Sequence, residues 1–315
     1  MKLNELTPAL AEALIEEQKA EWPLAGKNFA ALDGVRVRTV DLDGWQIRVQ
    51  FNPARIVSSG AKVDARAIAA RPCFLCDANR PAEQRGIDLD GRYTLLVNPF
   101  PIFPRHFTIP ATTHCLQLID GRIPDMAALA RALRGYVVFY NGPRCGASAP
   151  DHMHFQAGNA DFLTLPDVLA RTPLEPVAAI PGASLSLCAS LPMRFFVIDA
   201  DDDAAAGELF GRLAAAMPVP AGEQEPMMNI LAWADAHGWV RIVVIPRKRH
   251  RPSFYGTEGE GTMLLSPASV DMGGTFITPL GRDFDALDDA TLRRVFDELC
   301  LSDSEIRNIS GHVAR

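Results

Sequence analysis

Two histidines and a glutamine occupy alternate positions in the stretch His152-Met153-His154-Phe155-Gln156. Near pH 7 a neutral imidazole can act as a nucleophile or a metal ligand, and a glutamine amide can hydrogen-bond to an anion. Side chains of a strand point alternately to its two faces, so these three polar groups are expected to share one face. Polar groups on a buried face require partners. The pattern therefore predicts either two hydrogen-bonded core histidines or a reactive site.

The residues before this stretch favour the reactive site. Tyr136-Val-Val-Phe-Tyr140 is rich in β-branched and aromatic residues and predicts a strand. The following turn contains Gly146, Ala147 and Ser148, whose small side chains let an anionic group approach backbone N–H donors closely. The block is therefore predicted to be a strand, an anion-binding loop and a second strand.

This block resembles the transferase branch of the histidine-triad (HIT) superfamily. That branch holds hexose-1-phosphate uridylyltransferases, dinucleoside tetraphosphate phosphorylases and nucleotide-sugar phosphorylases related to GDP-galactose phosphorylase. The resemblance implies that His154 attacks the α-phosphate and becomes a nucleotidyl-histidine, and that Gln156 hydrogen-bonds to the phosphate. It also implies that the loop from Gly146 to Ser148 lines the phosphate pocket. The chain departs from the uridylyltransferases at Asp151-His152-Met153, where they have a proline pair around the first histidine.

A second motif, Cys73-Phe74-Leu75-Cys76, has several readings: a redox pair, half of a zinc site, or chance. A thioredoxin-like pair needs a βαβ setting, which the flanking sequence does not supply. Two thiolates need two further ligands to complete a tetrahedral zinc site. The resemblance to the uridylyltransferases assigns His114 and His152 to those places, so a structural zinc held by Cys73, Cys76, His114 and His152 is expected. In relatives without the metal, His152 would hydrogen-bond within the core.

Between these ligands, residues 93–110 predict two strands joined by a proline-stiffened turn. This segment resembles the nucleotide-binding hairpin of the superfamily, which implies that Asn98 reaches the ribose and makes Phe100 and Ile102 candidates for packing on the base. The alternative for Asn98 is an Asx turn before Pro99. His106 is either a supporting group behind the site or a structural partner.

Further candidates for nucleotide or phosphate binding lie on both sides of the hairpin. Asn141 and Arg144 begin the glycine-rich loop, and Arg144 resembles the phosphorylase members, which favours inorganic phosphate as acceptor. A basic stretch before the Cys-x-x-Cys motif is either a solvated surface or a set of phosphate contacts. It contains Arg55, Lys62, Arg66 and Arg71.

Hydrophobic periodicity predicts an α+β fold. Apolar residues recur with a helical period over about residues 4–21, and two alternating strands at 35–51 flank the turn Asp41–Gly44. Further helices are predicted at Pro124–Arg134, at Ala204–Ala216 and at Asp288–Leu301, the last with an aspartate N-cap. Further strands are predicted at Arg194–Asp199 and as a hairpin over Met228–Pro246.

The order of these elements, with the resemblance, implies two tandem HIT-like halves. Each half is expected to be a mostly antiparallel sheet with packing helices, the second half being degenerate because it lacks His-x-His-x-Gln. Residues 1–170 form the predicted catalytic half and residues 183–315 the second, with a Pro/Ala-rich boundary or crossover at Thr172–Gly182. In this degenerate repeat, the hairpin that ends at Pro246-Arg247 is expected to correspond to the segment of the first half that contains Val97-Asn98 and Pro104-Arg105-His106.

Composition narrows the class of protein. The chain has 315 residues, a formal charge of -7, 48% hydrophobic residues and no apolar run of membrane-spanning length. The acidic balance argues against a nucleic-acid partner. Six cysteines in a chain of this length are typical of reduced thiols or metal ligands, and the first residues lack a signal-peptide core. We therefore expect a cytoplasmic enzyme without a membrane partner.

The predicted activity is that of a nucleotidyltransferase or phosphorylase acting on a nucleotide-sugar or a dinucleoside polyphosphate. The acceptor, inorganic phosphate or a sugar-1-phosphate, would displace the nucleotide from His154 in a ping-pong mechanism. The alternatives are a nucleotide hydrolase and a zinc-stabilised nucleotide-binding protein without turnover. The sequence does not name the base or the sugar.

Five residues at the end of the last predicted strand, 247–251, include four cations. They form either a solvated turn or part of the acceptor site. In the second case the second half folds back, or packs against a partner subunit of a homodimer. Strand alternation would then place Arg247, Arg249 and Arg251 on one face, with Lys248 and His250 on the other.

Overall fold

The computed structural model describes residues 1–56, 68, 70–256, 258–259 and 261–314. The predicted loop Ser58–Asp64 and the candidate phosphate ligands Lys62 and Arg66 lie outside the described residues. Within them, the helices are α1 (Pro8–Glu21), α2 (Pro23–Ala30), α3 (Ile123–Ala132), α4 (Leu165–Leu169), α5 (Asp203–Ala216), α6 (Ser269–Met272), α7 (Gly281–Ala286), α8 (Asp289–Leu299) and α9 (Asp303–Val313).

The strands form two sheets. They are β1 (Arg36–Leu42), β2 (Trp45–Phe51), β3 (Gly86–Leu89), β4 (Tyr93–Val97), β5 (His106–Pro110), β6 (Tyr136–Asn141), β7 (His154–Asn159), β8 (Glu175–Ile180), β9 (Ala183–Cys188), β10 (Phe195–Ala200), β11 (Met228–Ala234), β12 (Val240–Pro246) and β13 (Thr275–Thr278). A three-stranded sheet has the order β1-β2-β13, and a ten-stranded sheet has the order β3-β4-β5-β7-β6-β11-β12-β10-β9-β8.

The ten-stranded sheet consists of two halves with one topology. In each half the third strand leads through a helix, α3 or α5, to the fourth, and the fifth strand inserts between the third and the fourth. The two fourth strands, β6 and β11, pair antiparallel at the centre, with Asn141 opposite Asn229. All neighbouring strands in this sheet are antiparallel. The predicted α+β fold of two tandem halves is therefore confirmed.

Alternating side chains of the ten-stranded sheet enter two hydrophobic cores. On β10, Phe196 and Ile198 pack with α1, α2, α3, α5 and α9, whereas Phe195 and Val197 pack on the other face with the three-stranded sheet, α4, α7 and α8. The protein therefore has helices on one face of the large sheet and a small sheet with helices on the other.

Local signals set many element boundaries as predicted. The β1–β2 hairpin turns at Asp43 and Gly44, both at positive φ, as expected for a tight hairpin turn. The Thr7 hydroxyl caps α1 by accepting the Leu10 N–H at 3.3 Å, and the Asp288 carboxylate caps α8 by accepting the Thr291 N–H at 2.9 Å. In the part of the chain described, no helix is long and apolar enough to cross a membrane.

The second half differs from two sequence expectations. The Pro/Ala-rich segment contains a strand, β8, that pairs with β9 and begins the second half of the sheet. The predicted boundaries at 170 and 183 stay a prediction. The predicted correspondence between the β11–β12 hairpin and the β4–β5 segment is wrong, because the topology makes β11–β12 the counterpart of β6–β7. Helices α2 and α9 were not predicted, although Pro23 starts α2 and Ser302 with Glu305 forms a capping box for α9.

Candidate functional site

The strand β7 presents the histidine motif to a cavity. Phe155 and Ala157 point into the core beneath the helices, whereas His154 and Gln156 line a cavity of about 580 Å³ on the opposite face. The strand begins at His154, and His152 lies in the turn before it. The expectation that His152 belongs to the strand and shares its face is therefore corrected.

His154 is held in one orientation by two neighbours. Its Nδ1 lies 2.8 Å from the His152 carbonyl oxygen, an acceptor that places the proton on Nδ1 and leaves Nε2 unprotonated. The backbone N–H of His154 donates to Gln117 Oε1 at 2.7 Å, and Gln117 Nε2 donates to the His154 carbonyl at 3.0 Å. Only 2% of His154 is exposed, and this burial lowers its pKa to about 4. The ring is therefore neutral, with Nε2 as its unprotonated nitrogen.

His106 determines which end of the Gln156 amide faces the cavity. Nδ1 of His106 accepts the Ile102 N–H at 3.2 Å, so its proton lies on Nε2. That Nε2 donates to Gln156 Oε1 at 3.1 Å. Burial lowers the pKa of His106 to about 3, which keeps the ring neutral. The amide nitrogen of Gln156 is thereby left to donate to a ligand.

The loop between β6 and β7 packs closely against α6. Gly146 has a φ of +100°, and a Cβ added there would lie 2.5 Å from the Cβ of Ala268. The side chain of Asn141 faces this junction, where its Oδ1 accepts from Asn229 Nδ2 at 3.0 Å and from the Ser269 N–H at 2.8 Å. Asn141, Gly146, Ala147 and Ser148 all line the cavity. The structure thus brings the predicted loop beside His154.

Part of the cavity wall is apolar. Phe74 and Phe100 are 45% and 39% exposed, which is unusual for aromatic side chains, and Trp22 and Leu24 from the α1–α2 junction line the same space. Asn98 is also in the wall, with Nδ2 donating to Thr108 Oγ1 at 3.0 Å. Its Oδ1 accepts the Phe100 N–H at 2.9 Å, which is the Asx turn considered as an alternative. Asn98 therefore makes the turn and also faces the cavity.

Cations line the cavity from both halves of the chain. From the first half, Arg55 donates to the Phe100 carbonyl at 2.9 Å, and burial lowers its pKa to about 10. Arg71 pairs with Asp151 at 3.0 Å and stacks on Phe74 at 4.8 Å. From the second half, Arg251 lies in the wall, together with the histidine His250. The cavity can therefore hold an anion.

The predicted alternation of residues 247–251 is wrong, because the chain after β12 is not extended. Arg247 is buried and donates to the carbonyls of Arg249 and His250 at 3.2 and 3.1 Å, so the backbone wraps around its guanidinium. Arg249 pairs with Glu298 at 3.2 Å on the surface. Arg249 and Arg251 consequently face different surroundings.

Arg144 is not brought to the cavity that contains His154. Its guanidinium pairs with Glu223 at 2.7 Å and lines a separate cavity of about 200 Å³. The structure gives no support to Arg144 as a phosphate ligand. Among the described residues, the other predicted nucleotide and phosphate ligands share one cavity with His154 and Gln156.

Four potential metal ligands converge beside the site. Sγ of Cys73 and Sγ of Cys76 lie 3.3 and 3.5 Å from Nδ1 of His152, and Nδ1 of His114 lies 3.2 Å from that same nitrogen. All four ligating atoms lie within 4.8 Å of one another. His152 Nε2 lies 2.7 Å from the Ala111 carbonyl, which leaves Nδ1 free as a ligand. The cluster could hold a metal ion.

Gln117 was not identified from the sequence. It lies in the segment between β5 and α3, 37 residues before His154, and no local motif marks it. Arg55 and Arg71 belong to the basic stretch for which the sequence predicts either a solvated surface or phosphate contacts, and both line the cavity. The sequence could not show that Arg55 and Arg71, and not Arg144, reach the cavity.

Comparisons with known proteins identify similar folds. Residues 14–159 match a domain of unknown function, DUF4922. No curated protein matches the chain. Yeast Ap4A phosphorylase Apa2 in complex with Ap4A has a similar structure, with 18% identity, a TM-score of 0.59, and coverage of 91% of this chain and 97% of that one. The complex of the same enzyme with AMP is also similar, with 18% identity, a TM-score of 0.54, and coverage of 90% of this chain and 96% of that one.

The chain has the fold of yeast Ap4A phosphorylase Apa2. At this level of identity the similarity establishes the fold only. The resemblance inferred from the sequence is therefore confirmed for the fold, and it covers both halves of the chain.

Proposed function

We propose that this protein is a nucleotidyltransferase of the phosphorylase type that acts through a covalent nucleotidyl-His154. The orientation of His154 carries the proposal. Its Nδ1 is tethered to the His152 carbonyl at 2.8 Å, so the unprotonated Nε2 is available on the side where His154 lines the cavity. An imidazole that is neutral, tethered and backed by an anion-binding loop meets the needs of nucleophilic catalysis.

The cavity wall suggests how a nucleotide would bind. The base would pack between the exposed aromatic side chains of Phe74 and Phe100, and Asn98 would reach the ribose. The α-phosphate would then meet the Gln156 amide and the loop that ends at Ser148. These groups are positioned before the substrate arrives, as electrostatic stabilisation of a transition state requires.

The reaction would proceed in two displacements. Nε2 of His154 forms a bond to the α-phosphorus while the bond from phosphorus to the leaving-group oxygen breaks, and that oxygen keeps the electron pair. An oxygen of the acceptor then bonds to phosphorus, and the phosphorus–nitrogen bond breaks with its electron pair returning to Nε2. Charge on the equatorial oxygens would be met by Gln156, Arg55 and Arg71.

Zinc is the metal that we propose for the four-ligand cluster. Two thiolates and two imidazoles are typical zinc ligands, and tetrahedral bonds of about 2.1–2.3 Å require ligand separations of about 3.4–3.8 Å. The three separations from Nδ1 of His152, which are 3.3, 3.5 and 3.2 Å, are close to these values. Cys73, Cys76, His114 and His152 would hold the ion, which would supply fixed bonds that tie these segments together. His152 would then fix the backbone at the start of β7, which would restrict the position of the His154 ring two residues later.

The donor is a dinucleoside polyphosphate or a nucleotide-sugar. The fold is that of an Ap4A phosphorylase known in complex with Ap4A and with AMP, which supports the first class. The cavity also reaches from β4 across β5, β7 and β6 to residues that follow β12. At about 4.8 Å between neighbouring strands, the span fits an elongated donor whose two ends lie on either side of the α-phosphate.

The decisive experiment is to trap the covalent intermediate. Purified protein is mixed with Ap4A or with nucleotide-sugars carrying an α-³²P label, without acceptor, and acid-labile label on the protein is measured. We expect stoichiometric labelling of the wild type and none of His154→Asn, with turnover lost by more than the roughly 10²–10⁴-fold typical of acid–base groups. His237→Asn, in the exposed β11–β12 turn, is the control and should label normally.

Other results would favour the alternatives. Release of nucleotide in water at the same rate with and without phosphate would indicate a hydrolase. Saturable nucleotide binding without label or turnover across the panel would indicate a binding protein. Label on His154→Asn equal to that on the wild type would contradict the assignment of the nucleophile.

A further inference from the structure

The second half of the chain contributes an arginine and a histidine to the cavity beside the nucleophile. His250 and Arg251 line the same space as His154 and Gln156, together with Ser266 and Ala268. They belong to the half that lacks the histidine motif. The presence of Arg251 in the same wall as Arg55 and Arg71 needs an explanation, because a cluster of cations is unfavourable without a nearby anion.

Buried Arg247 determines where these residues point. Its guanidinium donates to Asn229 Oδ1, to the Pro267 carbonyl at 3.3 Å, and to the carbonyls of Arg249 and His250. The segment therefore turns, sending Arg249 outward to Glu298 while His250 and Arg251 face the cavity. Arg247 is a structural residue, and the two that follow the turn are available for a ligand.

Arg251 is pre-oriented and retains unused donors. Its Nε donates to Ser266 Oγ at 2.9 Å, and its guanidinium stacks over the Tyr255 ring at 4.1 Å. In the described part of the chain no carboxylate lies within ion-pair distance of Arg251, and neither of its terminal nitrogens makes a hydrogen bond. A guanidinium fixed in this way offers a two-pronged contact to a phosphate.

The other charged groups of the wall do not neutralise Arg251. Asp271 is buried, and both its oxygens are occupied by the backbone N–H groups of Ala268 and Ile277, at 2.8 and 3.0 Å. Burial and the charge of Arg251 lower the pKa of His250 to about 4, so its ring is neutral. Arg55 and Arg71 come from the first half, and Arg71 already pairs with Asp151.

We propose that Arg251, assisted by His250, forms the binding site for the phosphate group of the acceptor. This inference rests on the proposed function. The base end of the cavity follows β4, His154 begins β7, and Arg251 follows β12 on the far side of β6 and β11. In a ping-pong reaction the acceptor enters where the leaving group departed, so a phosphate of the leaving group would occupy this site first.

The ligand is a phosphate dianion, which could be free or carried by a sugar. Its oxygen attacks the phosphorus bound to His154, the phosphorus–nitrogen bond breaks, and the electron pair returns to Nε2. Inorganic phosphate would yield a nucleoside diphosphate, and a sugar-1-phosphate would yield a nucleotide-sugar. Arg251 would be required for both.

The test separates the two half-reactions. Wild type, Arg251→Gln and the control Arg249→Gln are labelled to completion with α-³²P donor, freed of donor and chased with increasing inorganic phosphate or glucose 1-phosphate. Arg251→Gln should reach the same extent of labelling, but its half-saturating acceptor concentration should rise about 10-fold or more, as expected for losing a charged hydrogen bond. Arg249→Gln, whose partner is Glu298 on the surface, should behave like the wild type.

Two outcomes would overturn the site. One is an unchanged acceptor dependence in Arg251→Gln, and the other is an equal defect in Arg249→Gln. If Arg251→Gln does not fold, Arg251→Lys can replace it, because lysine retains the charge without the two-pronged contact. Its half-saturating acceptor concentration should rise less than the increase expected for Arg251→Gln.

If the wild type never becomes labelled, the proposed function fails, but the site can still be tested. Titration of unlabelled protein with inorganic phosphate by calorimetry should then show binding by the wild type that is weakened in Arg251→Gln. Absence of phosphate binding by the wild type, or equal binding by the variant, would refute the site itself.

Discussion

Replacing Gln117 by methionine should destabilise the protein and misplace its nucleophile. The β6–β7 ladder stops at the pair Phe139 and Gln156. Beyond it, the Gln117 side chain accepts from the His154 N–H at 2.7 Å and donates to the carbonyls of His154 and Asn141, each at 3.0 Å. The amide thus takes the place of a missing ladder partner between the two strands.

The expected magnitude follows from counting the groups that lose a partner. Gln117→Met keeps the size of the side chain but leaves three buried backbone groups unpaired, and each costs about 1–3 kcal/mol. We expect a loss of about 3 kcal/mol or more in the free energy of unfolding. The matched control is Gln18→Met, because Gln18 is also 0% exposed but makes a single hydrogen bond, accepting the Arg85 N–H at 3.1 Å. That variant leaves one partly buried N–H unpaired, but it also removes Gln18 Nε2, which is buried without a hydrogen-bond partner, so it should lose about 1 kcal/mol or less.

Urea unfolding followed by circular dichroism gives both values under identical conditions. The rate of protein labelling by α-³²P donor reports the nucleophile, and it should fall in Gln117→Met and not in Gln18→Met. Equal destabilisation of the two variants would contradict this reasoning, because it would show that the stability lost does not depend on the number of hydrogen bonds that the buried glutamine makes. Normal labelling in a folded Gln117→Met would show that His154 is positioned without it.

Three further changes have defined outcomes. Cys73→Ser should release bound zinc and lower stability by several kcal/mol, as measured by metal analysis and thermal unfolding; a zinc-free wild type with intact thiols would contradict this. Gly146→Ala should cost about 1–3 kcal/mol in urea unfolding and weaken nucleotide binding, because φ is +100° and the new Cβ would meet Ala268; unchanged binding would contradict it. Burial raises the pKa of Glu225 from 4.5 to about 7, so this group favours folding below pH 4.5 and loses that contribution as pH rises through 7. Glu225→Gln should therefore match the wild type near pH 4.5 and exceed its stability at pH 8 by up to about 3 kcal/mol, and parallel pH profiles of unfolding would refute the reasoning.

The sequence by itself determined the parts of the site that depend on local periodicity. Strand alternation placed His154 and Gln156 on one face and Phe155 on the other, as observed. The hairpin turn at Asp43-Gly44 and the Asp288 cap also follow from residues within a few positions. These features are specified locally, since a turn or a cap is a contact between near neighbours along the chain.

Only the tertiary structure decided which side chains from distant segments complete the site. Arg144, in the glycine-rich loop, turns away to Glu223, whereas Arg251, about a hundred residues later, reaches the cavity. The direction of Arg251 depends on buried Arg247, which draws the backbone around itself because its guanidinium must find acceptors. Gln117 is likewise defined by the unpaired backbone of two strands far from it in sequence. A buried polar group takes partners from whatever the fold brings near, and no spacing along the chain encodes that choice.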